Sequence, residues 1–104
     1  MLNRVKNALL TVTDKVHHYH ATGMTGTYIV WAEDGAGDTV CADDEMQEQV
    51  TGGAIHLFTK KENDSLFHAV QQALSDAGIG YRWESTTYEQ DTKYIHHVWA
   101  FEVG

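Results

Sequence analysis

Residues 61–80, "KENDSLFHAVQQALSDAGIG", constrain the fold more than any other stretch. Leu66, Val70, Ala73, Leu74 and Ala77 recur at helical spacing and form one apolar stripe. Asp64, or Asn63 beside it, suits the N-cap, and Gly78 suits a left-handed residue closing the C-terminal end. The expected helix runs over about 64–77. A helix this short is marginal alone and must lay its stripe on another apolar surface. The question is what the remaining residues offer it.

They offer strands. "TYIVWAED" (27–34) is β-branched and aromatic, and "GAIHLFTK" (53–60) alternates Ile55 and Leu57 against His56 and Phe58. "YRWESTTYE" (81–89) and "KYIHHVWAFEV" (93–103) flank "QDT" and read as an antiparallel pair. "VHHYH" (16–20) suits a short strand, and "GAGD" (35–38) a turn into a returning strand "TVCAD" (39–43), which would close a hairpin. At the N-terminus, Leu2, Val5, Leu9 and Val12 share one face of a helix over residues 1–12. The expected order is α-β-β-β-β-α-β-β. It belongs to the α+β class: one domain over 1–104, a mostly antiparallel sheet with an N-terminal helix and one longer helix packed on it.

With no proline in the chain, glycine and the Asn/Asp clusters supply the punctuation. No apolar run is long enough to span a bilayer, so no membrane partner is expected. "MLNRVKNALLTV" is basic and apolar, but Lys6 and Asn7 interrupt it and no small-residue cleavage site follows. The chain is read as unexported and mature. A single cysteine, Cys41, makes no internal disulfide and no zinc spacing. The net charge of −8, from 15 acids and 7 basic residues, argues against a protein that grips nucleic acid through a basic footprint.

Two groups of residues invite chemistry. The first is the 7 histidines. On a strand, His18 and His20 would share a face with His17 opposite, and His96 and His97 would point to opposite faces. His56 and His68 stand alone on their elements. A metal site would need a third ligand from a neighbouring strand, so exposed strand histidines are expected and no cofactor or metal is assigned. The second group is the acids Glu33, Asp34, Asp38, Asp43, Asp44, Glu45 and Glu48, with no basic residue among them. Their spacing does not fit an EF-hand loop. They are expected as a solvated acidic rim, or as a surface facing a cation, a neighbour or DNA. No nucleophile elbow and no phosphate-binding loop is present, and no catalytic residue is assigned.

Taken together, several segments carry a resemblance. They are Tyr28 to Trp31 with acids at the strand end, Ala42-Asp43-Asp44, Ile55 to Lys60 leading into the helix, Gly78-Ile79, Tyr88-Glu89 and the closing Phe101-Glu102-Val103. Over nearly the whole chain this arrangement resembles the small tail-terminator, or tail-completion, proteins of long-tailed bacteriophages and prophages. No single motif in it is diagnostic. Family members often carry a proline before the first strand, where this chain has Thr27.

The resemblance implies a structural protein without catalysis. It would assemble with itself as a ring, commonly a hexamer, in the host cytoplasm and end in the virion tail. The ring caps the tail tube, ends its polymerisation and offers the surface that joins tail to head. Its partners are then the tail-tube protein and the head-completion or connector protein. DNA would pass through the channel without sequence-specific binding, and Glu33, Asp34, Asp38, Asp43, Asp44 and Glu45 become candidates for a channel or subunit-contact surface. Alternatives are another virion role, as head-completion protein or tail-tube subunit, and a small metal-dependent enzyme built on the histidines and acids.

Overall fold

A computed structural model describes residues 2–36 and 50–104. Its elements are α1 (Leu2–Leu10), β1 (Val16–His18), β2 (Tyr28–Ala36), β3 (Thr51–Thr59), α2 (Leu66–Asp76), β4 (Gly80–Glu89) and β5 (Tyr94–Val103). The strands form one sheet in the order β1-β2-β3-β5-β4. Every pairing is antiparallel except β1 with β2. The α+β class is therefore as expected. The expected strand at 39–43 and its hairpin lie outside the described residues. Gly35 and Ala36, expected in a turn, instead end β2, and β2 pairs along its length with β3.

Both helices pack on the same face of the sheet. From α1 come Val5, Ala8 and Leu9, and from α2 Val70 and Leu74. They meet Ile29, Trp31, Ile55, Leu57, Trp99, Phe101 and Val103, which the register places side by side. Trp99 is fully buried and its indole Nε1 donates to Gln71 Oε1 of α2 at 3.0 Å. Fully burying side chains of this size is worth about 1.5–3 kcal/mol each, so this layer holds the fold.

The chain turns from β3 into α2 through two buried polar side chains. Asp64 accepts the Thr59 hydroxyl at 2.5 Å on one oxygen and the Leu66 N–H at 3.0 Å on the other. Ser65 stands at the N-cap position but makes no side-chain cap bond. The capping work thus falls to Asp64, one residue earlier than the cap position. At the other end, Gly78 has φ of 72°. The Ile79 N–H reaches Leu74 O at 2.9 Å and the Gly78 N–H reaches Ser75 O at 3.0 Å, a Schellman closure. Ile79 and Leu74 are both buried, which supplies its usual apolar clasp.

Two β-bulges break the alternation. Glu33 faces Gly53 and Gly35 faces Gly52, so Asp34 is the extra residue on β2. Trp83 faces Trp99 and Ser85 faces Val98, so Glu84 is the extra residue on β4. The β2 bulge draws its backbone tightly over β3. A Cβ on Gly53 would lie 2.1 Å from Ala32 O, 2.7 Å from Glu33 Cα and 2.8 Å from the Phe101 ring. Only glycine fits without moving backbone.

Gly53→Ala should therefore destabilise the protein by about 1–3 kcal/mol or more, as overpacked cores do. Gly80→Ala, whose new Cβ would meet only Glu102 O at 3.7 Å, serves as the control. Urea unfolding should show a lower midpoint for the first variant and little change for the second.

Candidate functional site

Both helices cover one face, and among the described residues no helix covers the centre of the opposite face. The register lays Tyr28, Phe58 and His96 in one row across β2, β3 and β5. Val30, His56 and Val98 form the next row, and Ala32, Ala54 and Ala100 the one after. All of these side chains are half-buried. At the Tyr28 end, the Tyr94 hydroxyl donates to Gly26 O at 2.9 Å, and Lys60 Nζ stands 4.8 Å from the Tyr94 ring.

Within this face His56 is not alone. Its Nδ1 lies 2.7 Å from His96 Nε2, and His96 Nδ1 lies 3.4 Å from Glu89 Oε2. Phe58 stacks on His96 at 4.3 Å and Tyr28 on Phe58 at 4.8 Å. Partial burial disfavours the charged form of both imidazoles and pushes their pKa values down. His96 adds to the effect on His56, while Glu89 opposes it on His96. A 2.7 Å contact needs one ring as donor and the other as acceptor. A doubly protonated pair would set two cations against each other. The expectation of solvent-exposed strand histidines is thereby corrected for His56, His96 and also His97, all half-buried.

On the helix side a shallow cleft of about 300 Å³ opens between the start of α2 and strands β4 and β5, lined by Asn63, Asp64, Phe67, His68, Thr86 and His97. Trp83 Nε1 donates to Thr86 Oγ1 at 3.1 Å, and that hydroxyl lies 2.8 Å from His97 Nδ1. Burial lowers the His97 pKa, partly offset by Asp64.

The candidate acids divide. Asp38, Asp43, Asp44 and Glu45 lie outside the described residues. Asp34 is the exposed bulge residue of β2. Glu33 is engaged: His18 Nε2 sits 2.7 Å from its Oε1, and the Tyr19 hydroxyl donates to its Oε2. These bonds, Tyr19 first, hold the Glu33 pKa down to about 2. His18 is stacked on Trp31 at 4.0 Å and on Tyr19 at 4.1 Å. The expected shared face of His18 and His20 does not arise, because β1 ends at His18. His17 does point away from His18, with its ring edge on Tyr28. Among the described residues no three His, Cys, Asp or Glu side chains group closely enough to hold a metal, and no helix is long and apolar enough to cross a membrane.

The edges of the sheet differ. One is β1, three residues long. The other is β4, ten residues long, with Tyr81 37%, Trp83 51% and Tyr88 56% exposed. Its one basic residue, Arg82, is held by Glu84 at 2.6 Å on the same strand. The sequence signalled these aromatics as strand residues but not which of them would face solvent. No family model matches the chain, and no curated protein matches it either.

Since the His56 and His96 pKa values are lowered in the folded state, their contribution to stability is present above the unfolded value near 6.5 and is lost as pH falls. The urea midpoint should fall between about pH 7 and about pH 5. His56→Gln should flatten that fall. Glu33 does not interfere, because its contribution disappears only as pH drops from about 4.5 toward about 2.

Proposed function

We propose that the chain is a structural subunit of a phage or prophage tail. It assembles as a ring, of six copies in the form that the resemblance implies, on the end of the tail tube. There it stops tube polymerisation and presents the surface that meets the head-completion or connector protein. It is not an enzyme in this reading, and its place in the finished particle is the virion tail.

The observation that carries the reading is β4. Monomeric proteins keep edge strands short, charged or covered, because an exposed row of backbone N–H and C=O groups recruits other chains. β4 carries charge at Arg82, Glu84 and Glu89 and a bulge at Glu84, but it is ten residues long and displays three large aromatic side chains. Aromatic residues with solvent around them are what subunit interfaces are made of. The segment-by-segment resemblance adds which assembly this serves.

The acids take a second part in the proposal. Asp34 and the acids that follow it, Asp38, Asp43, Asp44 and Glu45, would line the passage for DNA or the contact between subunits. Negative charge there repels phosphates and keeps the genome from adhering during transit.

Electron microscopy of lysates from the parent phage with this gene disrupted tests the function. Overlong tails free of filled heads are expected; joined particles with tails of normal length would sink the reading. Replacing Asp43 and Asp44 together by lysine should leave particles assembled but slow or arrest DNA ejection, measured by release of dye-accessible genome. Unchanged ejection would remove the channel role of these acids.

A further inference from the structure

The Asp64 carboxylate is 5% exposed, and among the described residues no Lys or Arg side chain pairs with it. Thr59 and the Leu66 N–H each give it one hydrogen bond. The start of α2 offsets about half an elementary charge. Buried carboxylates ordinarily sit beside a full cation or a metal. This one forms part of the lining of the cleft at the start of α2, about 300 Å³ in volume. The rest of that lining contains no Lys or Arg either. The Trp83 indole N–H can only donate, so Thr86 Oγ1 accepts it and turns its own proton on His97 Nδ1. His97 is then the neutral tautomer protonated on Nε2, in keeping with the burial that pushes its pKa down.

We infer that this cleft is a binding site for a guanidinium group, the head of an arginine side chain or of a free compound of the same shape. Asp64 meets its charge and Phe67 meets its flat face. The site does not depend on the tail reading above.

The sign of the ligand follows from the charges. The buried acid lacks a cation, and a chain of net charge −8 concentrates cations at its surface. An anion would find few donors here. The N–H groups of Leu66 and Phe67, the first two of α2, both go to Asp64, to its side chain at 3.0 Å and its carbonyl at 3.1 Å. The class of cation follows from the walls. Phe67 is half-buried and stands edge-on to His97 at 4.8 Å and to Trp83 at 6.4 Å. A flat, weakly hydrated guanidinium stacks on such rings and still presents N–H donors at its edge, whereas a compact ammonium holds its water tightly. The acceptors for those donors are the remaining lone pairs of Asp64 and the side-chain amide oxygen of Asn63. A bare metal ion would need more ligands than the described residues group together. The volume is at the small end of ligand pockets and has room for one head group.

The test is a titration of the full chain followed by two-dimensional ¹H–¹⁵N NMR. The probes are the peptide acetyl-Gly-Arg-Gly-amide, its citrulline counterpart of the same shape without charge, ethylguanidinium and inorganic phosphate. The arginine peptide and ethylguanidinium should move the backbone signals of Asn63, Asp64 and Phe67 and the indole N–H of Trp83, saturating at about millimolar concentration. The citrulline peptide should bind ~10-fold more weakly or not at all. Asp64 and Phe67 also hold α2 in place, so the variants are made at His68, which is exposed on α2 and lines the cleft. His68→Lys puts a cation into the site and should abolish binding while the signals of the sheet stay in place. His68→Glu should tighten binding by about threefold. Shifts that never saturate, equal binding of the citrulline peptide, phosphate moving the same signals in place of the cations, or a folded His68→Lys chain that binds like wild type would each overturn the inference. An arginine peptide that binds ~10-fold tighter than ethylguanidinium identifies a partner chain as the source, and equal binding identifies a free compound. Normal tails in the lysate experiment would remove the phage role and leave this site standing, and the reverse also holds.

Discussion

Asp64 decides the layout of this molecule. A carboxylate 5% exposed is costly unless its oxygens are occupied. Here one takes the Thr59 hydroxyl and the other the first N–H of α2. The pair fixes the turn between the central strand β3 and the helix, and α2 then lies over β5 and β4 on the side where α1 already lies. With both helices on that side, Trp99 has a helix above it, and among the described residues no helix lies over the alanine row on the other face. The share of the core that α2 covers depends on this junction.

Much of this was legible in the sequence where the signal is local. The α2 stripe, the left-handed Gly78 and the alternation of Ile55 and Leu57 against His56 and Phe58 depend only on neighbours along the chain. Helix and strand periods do not require knowledge of a partner. The expected start of α2 came out early because Asp64 serves the helix from outside it, as a side-chain acceptor in the preceding turn.

What needed register was not legible. His56 faces Val30 and Val98, and its true companion, His96, faces Phe58. They meet diagonally across two strands, an arrangement that spacing in sequence cannot announce. The same holds for Trp83. Its segment "YRWESTTYE" marks it as a strand aromatic, but its place on an outer strand depends on the strand order, in which β5 comes between β3 and β4. Cross-strand neighbours also clothe Glu33, whose partner His18 lies on a parallel strand reached through a loop. Sequence pointed to the acid without its partners.

The extra residue at Glu84 has a further meaning. Trp83 and Tyr88 are five positions apart, an odd separation, and in a regular strand they would look in opposite directions. The bulge adds a half-period, so both look the same way. The strand acts as a counter whose phase is reset by one acidic residue. Inserting a single residue in the short interval between those two rings would set them on opposite sides while leaving both rings in the sequence. What this edge displays is therefore encoded in a parity, and the molecule's outward identity is more sensitive to the number of residues there than to their kind.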